Sequence, residues 1–203
     1  MQLCLVGMSG VGKSFWSRRL AAELGFVVHD CDAAIGARLS SIVTPEPGEE
    51  PVTALGRWMG MPWSEGYAER EARYLALEDA VTREAVLAMR DRHVLDTTGS
   101  VIYLGSDLLE TIRARFRVVY LRTPDERRSA MLRRYLEEPK PVVWAGAFHA
   151  AEGQAPLDAL PAAYAALLAL RDQRYAALAH VTLDGGELER HPPSPSELLR
   201  IVT

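Results

Sequence analysis

Residues 3–16 read LCLVGMSGVGKSFW: a short apolar run that ends in glycine, a glycine-rich turn, then Lys-Ser opening a helical pattern. Gly7 to Ser14 satisfies the spacing G-x-x-x-x-G-K-[ST] without a mismatch. Glycines at those positions let the chain curl so that successive N–H groups point inward at phosphate oxygens. The helix that follows adds the partial positive charge of its N-terminus. Gly7, Ser9, Gly10, Val11 and Gly12, with Lys13, Ser14 and Phe15, are therefore the candidate nucleotide contacts. Lys13 is placed to reach the β and γ phosphates and the Ser14 hydroxyl to sit on Mg²⁺, so a nucleoside triphosphate with Mg²⁺ is expected here.

Outward from this loop, strand and helix signals alternate, the pattern of βαβ units and a parallel sheet. Strands are predicted over 3–7, 26–30, 93–97, 117–121 and 180–184. Helices are predicted over about 13–24, 32–42, 64–90, 106–115, 124–136 and 158–178, with a last one starting at a capping box, Ser194 to Glu197. Two stretches read as loops: the acidic TPEPGEEP (44–51), and 137–156, broken by Pro and Gly, whose Trp144 and Phe148 look exposed. A loop as long as the second is commonly functional or mobile.

The chain has 203 residues, the length of one decorated α/β domain, and its 48% hydrophobic content suits a packed core. A net charge of −4 argues against a nucleic-acid surface or an anionic membrane as partner. No run reaches the ~18 apolar residues of a membrane span, and no targeting segment is visible. Cys4 and Cys31 lack metal-ligand spacing and read as buried thiols, and the five histidines as structural or surface groups. The expectation is a cytoplasmic protein, monomer or weak dimer, with neither nucleic acid nor membrane as partner.

Asp30 and Asp32 flank Cys31 where the second strand ends, in the crevice that ligands occupy in open α/β sheets. One can position Mg²⁺, and the other can orient or deprotonate an attacking hydroxyl. Asp32 can equally cap the following helix. Asp96, closing the third strand, competes with Asp30 for the metal, and the choice stays open here. Arg57, Arg70 and Arg171 are candidate anion binders, and an Arg171–Glu71 structural pair is the alternative for two buried charges. Trp58, Met59, Met61 and Trp63 form either a hydrophobic cover or the wall of an acceptor pocket.

Together the phosphate loop and the D-C-D of residues 30–32 make the chain resemble the shikimate kinase family over about residues 2–200. The resemblance implies a P-loop, nucleoside-monophosphate-kinase-like fold, a three-layer α/β/α sandwich with a five-stranded parallel sheet in order 2-3-1-4-5. It implies one kinase domain over 1–203, with its core at about 1–136 and 158–203, a lid at about 137–157 and a substrate-binding helical region at about 32–75. It further implies ATP and Mg²⁺ as cofactors and transfer of the γ-phosphate to a hydroxyl of a small carboxylated ring, a small hydroxylated, anionic substrate. In that resemblance Asp32 contacts the acceptor hydroxyl, Asp30 lies near Mg²⁺, Arg171 of R-x-x-x-Y holds the acceptor carboxylate, Arg133 lies beside adenine and Lys140 is the lid cation. Two departures touch the acceptor side. The family's F-R-x-x-E, read onto Tyr67 to Glu71, has Ala68 in place of the arginine, and its Gly-Gly-Gly loop becomes Thr97-Thr98-Gly99. The family's acceptor is therefore in question. A nucleotide-binding regulatory module without kinase activity, and a nucleoside or nucleotide kinase, stand as alternatives.

Overall fold

The computed structural model describes residues 1–138 and 140–203, so Pro139 of the expected lid lies outside the described residues. Five strands, β1 (Gln2–Val6), β2 (Val27–Asp30), β3 (His93–Asp96), β4 (Arg117–Arg122) and β5 (Val181–Asp184), form one all-parallel sheet in order β2-β3-β1-β4-β5. The order reverses beside β1, so the loop leaving β1 opens into the crevice between its neighbours.

Alternation along β1 builds the two faces of the sheet. Leu3 and Leu5 face a core completed by Trp16 and Leu20 of α1 (Lys13–Leu24) and by Leu198 and Val202 of α9 (Pro195–Val202). Cys4 and Val6 face the larger core, with α2 (Cys31–Leu39), α3 (Pro51–Met59), α4 (Tyr67–Ala88), α5 (Ser106–Arg115), α6 (Asp125–Glu137) and α7 (Pro156–Leu178). Both cysteines are buried thiols. No helix is long and apolar enough to cross a membrane among the described residues.

Two helices differ from the sequence expectation. α3 follows the acidic loop directly, started by Pro51 at its first position, where a missing N–H costs nothing, and stopped by Gly60. α8 (Gly185–Arg190) begins with Gly-Gly, which reads as a turn, yet Asp184 accepts from the N–H groups of Gly186 and Glu187 and caps it.

The larger difference lies at 142–148. Trp144 is buried rather than exposed, packed against Tyr135, Tyr164 and Phe148. One Glu71 oxygen accepts from Trp144 N (2.5 Å), Ala145 N (2.9 Å) and the Tyr67 hydroxyl (2.5 Å). From the other side, Arg171 donates to the Val143 carbonyl at 2.6 Å. Arg171 and Glu71 thus grip one strap from opposite sides instead of pairing with each other. Removing the Glu71 carboxylate leaves Trp144 N with the Tyr67 hydroxyl at 3.1 Å and turns Ala145 N to solvent, so Glu71→Ala is expected to lower stability by about 1–2 kcal/mol and Glu71→Gln by less. Urea unfolding checks this; an unchanged midpoint for Glu71→Ala would mean that Trp144 packing alone holds the strap.

Candidate active site

The loop from Gly7 to Ser14 wraps the start of α1. Gly7 (φ 146°) lies so close to β4 that an added Cβ would stand 2.6 Å from the Leu121 carbonyl oxygen. Gly12 (φ 102°) is in the left-handed region that lets the chain enter the helix. Lys13 is buried, and its amine donates to the carbonyls of Gly7 (2.9 Å) and Met8 (3.1 Å). Burial lowers its pKa, and the neighbouring Asp32 and Asp96 carboxylates oppose that shift. The amine is thus folded back onto its own loop, within reach of a phosphate but holding only neutral partners.

Asp30 and Asp96 stand side by side in the β2–β3 register. Asp30 accepts from Ala33 N at 2.9 Å and caps α2, the role the sequence offered to Asp32. Asp32 is thereby free to line the central cavity. Its carboxyl is open to the cavity, but protein crowds it elsewhere and pushes its pKa up to about 6, against the pull of Lys13. Asp96 is buried beside Ser14 and Ser17, and its Oδ2 has no protein partner. Among the described residues no group of three or more His, Cys, Asp or Glu side chains is arranged to hold a metal ion alone.

The cavity, about 400 Å³, runs across the strand ends. On the β4–β5 side it is bounded by Thr123, Arg127, Met131, Arg134 and Glu189. Arg127 pairs with Glu189 and, with Arg134, borders this side of the cavity, whereas the exposed Arg133 does not. Phe15 is likewise exposed, edge-on to Trp16 and away from the cavity.

On the β2–β3 side the cavity meets Asp32, Tyr74, Gly99, Ser100, Val142 and Arg171, with Lys140 at the rim. Arg171 is 7% exposed; it donates to the Val143 carbonyl, its guanidinium lies over the Tyr103 ring and beside the Tyr175 hydroxyl, and its Nε has no hydrogen bond among the described residues. Three other expected contacts are elsewhere. Arg57 is held at the surface by Glu49, with Nε–Oε1 3.1 Å. Arg70 donates to the carbonyls of Met59 (3.0 Å) and Glu65 (2.8 Å) and ties the α3–α4 turn. Glu71 holds the strap. Trp58, Met61 and Trp63 pack partly buried on the main core, with Met59 inside it, and none of the four bounds the cavity.

The Tyr-x-x-x-Glu that faces Asp32 is Tyr74 to Glu78, one heptad after the pair chosen from the sequence. Ala68 is exposed, and the position following Tyr74 is Leu75, packed against the core. Glu78, missed at the sequence level, is fully buried and takes hydrogen bonds from the Thr98 and Ser100 hydroxyls. Thr98 therefore serves Glu78 and is not turned to the cavity, while the Thr97 hydroxyl donates to the Leu5 carbonyl at 2.8 Å.

Burial raises the Glu78 pKa from 4.5 to about 7, more than the two hydroxyls lower it. The folded state then holds this proton more tightly than the unfolded chain, so its contribution falls as pH rises from about 4.5 to about 7. The full penalty is about 3 kcal/mol at higher pH. Glu78→Gln is expected to gain stability relative to the parent between pH 5 and pH 8. Urea midpoints at the two pH values test this; a difference independent of pH would contradict the buried titration.

No family model matches the sequence, and no curated protein matches it. Solved structures do. A shikimate kinase from Acinetobacter baumannii, solved in complex with shikimate, is 24% identical, with a TM-score of 0.63 over 99% of this chain and 92% of that one. A shikimate kinase from Bacteroides thetaiotaomicron is 20% identical, with a TM-score of 0.62 over 99% and 96%. One from Aquifex aeolicus is 18% identical, with a TM-score of 0.58 over 100% and 96%. The chain has the fold of the shikimate kinases, a phosphate-loop kinase fold.

Proposed function

We propose that this protein is an ATP-dependent kinase that moves the γ-phosphate of ATP to a hydroxyl of a small anionic acceptor. The observation that carries the reading is a buried Arg171 with no carboxylate in ion-pair distance among the described residues, in the same cavity as Asp32 and the phosphate loop. A guanidinium buried to this degree needs a counter-charge, and a ligand anion supplies it.

The loop glycines and the N-terminus of α1 suit a triphosphate. The unpartnered Asp96 oxygen beside Ser14 suits Mg²⁺, which would be held by those two residues and would neutralise charge between the β and γ phosphates. Asp30, with one oxygen committed to its cap, stands second to Asp96 for this role. Lys13 leaves the Gly7 and Met8 carbonyls for the phosphates. Asp32 orients the acceptor hydroxyl and receives its proton as the new O–P bond forms and ADP departs with the electrons of the broken one. Arg171 holds the acceptor's anion, and Lys140 brings a second cation from the lid. Positioning and charge neutralisation supply most of the catalysis.

ADP release from Mg²⁺-ATP across shikimate, quinate, gluconate, cyclitols and nucleoside monophosphates, with Lys13→Ala as blank, tests the reading. Release with one acceptor class at about 1–100 s⁻¹ is expected. Nucleotide binding with no acceptor-dependent release would instead favour a regulatory nucleotide-binding module.

A further inference from the structure

We propose that Ser100, backed by the buried Glu78, is a specificity residue of the acceptor site that takes a hydrogen bond from a second donor group, hydroxyl or ammonium, on the acceptor. The inference rests on the phosphotransfer reading and adds to it a requirement on the acceptor's chemistry.

The geometry is a matter of counting protons. Ser100 is 5% exposed and borders the cavity beside Gly99. Its hydroxyl donates to one oxygen of Glu78, and the Thr98 hydroxyl donates to the other. A serine hydroxyl has a single proton, so toward the cavity Ser100 offers lone pairs only. The backbone fixes the arrangement from below: Ser100 N donates to Thr98 Oγ1 at 3.0 Å. Among the described residues Glu78 has no cation within ion-pair distance, so the two hydroxyls are its main solvation, and turning either away strands a buried oxygen.

A carboxylate, carbonyl or ether oxygen placed against Ser100 would meet lone pairs with a carboxylate behind them. The acceptor's anion is steered instead to Arg171, the buried guanidinium of the same cavity. Asp32 is also a hydrogen-bond acceptor, and the Tyr74 phenol lies near both it and Ser100. The wall from Asp32 to Ser100 therefore reads donors at two points, one being the hydroxyl to be phosphorylated. An acceptor with a single hydroxyl and a methoxy group or hydrogen at the second point leaves Ser100 to share the protons of Tyr74 and Thr98, on which Asp32 and Glu78 also draw. Sites built on a buried polar group discriminate strongly against ligands that fail to pair with it.

The test is calorimetric binding to protein loaded with Mg²⁺ and a non-hydrolysable ATP analogue. The probes are cyclohexanecarboxylates with one ring hydroxyl and, beside it, a hydroxyl, an ammonium, a methoxy group or hydrogen; shikimate is run alongside. The hydroxyl and ammonium probes are expected to bind at least about 10-fold tighter than the other two. Ser100→Ala should shrink that gap to about twofold. Glu78→Gln presents an amide donor to Ser100, frees the serine proton and should let the methoxy probe bind as well as the hydroxyl one; a purely structural role for Glu78 would not produce this.

The gap should also be wider at pH 8 than at pH 5.5, because ionised Glu78 accepts only; Asp32 ionises in the same range, so the part due to Glu78 is the part of the widening that Glu78→Gln removes. The groups facing it are Cys31 and Asp32 from α2, Tyr74 of its own helix, Thr98 and Ser100 after β3, and Arg171 and Tyr175 from α7. Equal binding of all four probes, or an unchanged gap in Ser100→Ala, overturns the assignment and leaves the kinase reading standing. Binding of the nucleotide analogue with no probe and no shikimate bound overturns both.

Discussion

Lys13→Ala is expected to reduce phosphoryl transfer by about 10³-fold or more while the protein stays folded. The amine is the buried cation of the phosphate loop, and among the described residues its hydrogen bonds are to the carbonyls of Gly7 and Met8. Those bonds are exchanged for phosphate contacts at little cost, and in a water-poor crevice a fixed cation beside developing charge is worth several kcal/mol. Folding should not suffer. Burial already disfavours the charged amine, so its deletion removes a desolvation penalty together with two hydrogen bonds. Single-turnover ADP formation at saturating nucleotide, with urea unfolding in parallel, separates the two effects. A loss below tenfold would mean that Lys13 is a structural tether of the loop.

Asp32→Asn is expected to cost about 10²–10⁴-fold in turnover with nucleotide affinity nearly unchanged. Asn keeps the size and one acceptor oxygen but cannot take the proton. Asp32 borders the cavity and leaves the capping of α2 to Asp30, so the exchange does not unpick the helix start. Loss of a carboxylate beside Lys13 should leave binding of the anionic nucleotide the same or slightly tighter. Initial rates against acceptor concentration, with nucleotide affinity measured by calorimetry, test both halves. Wild-type turnover in this variant would remove Asp32 from the chemistry; lost nucleotide binding would move it to the phosphate side.

The frame of this site is legible in the sequence because each part is fixed locally. A G-x-x-x-x-G-K-S between an apolar run and a helix pattern has one physical use, and alternating strand and helix signals lead to a parallel sheet. Arg171 was also readable, as a charge on an otherwise apolar helix face. What was not readable depends on longer-range geometry. Tyr-x-x-x-Glu occurs at 67–71 and again at 74–78, and seven residues bring a helix back to almost the same face about 10 Å further along. Only the packed position of α4 assigns the first pair to the strap and the second to the strand ends. Trp144 looked exposed because it sits in a Pro- and Gly-broken stretch; its burial comes from Glu71 and Arg171, far away in sequence. Arg57 and Arg70 were offered to a ligand because nothing in the sequence shows Glu49 and the carbonyls of residues 59 and 65 reaching them first.

The most direct test of the central claim is phosphorus NMR of the wild-type protein with Mg²⁺-ATP and each acceptor of the panel. The account predicts a phosphomonoester signal that grows as the γ-phosphate signal of ATP falls, with one acceptor class, and that grows at least about 100-fold more slowly in Asp32→Asn. A γ-phosphate that stays on ATP, or appears only as inorganic phosphate, with every acceptor would contradict it.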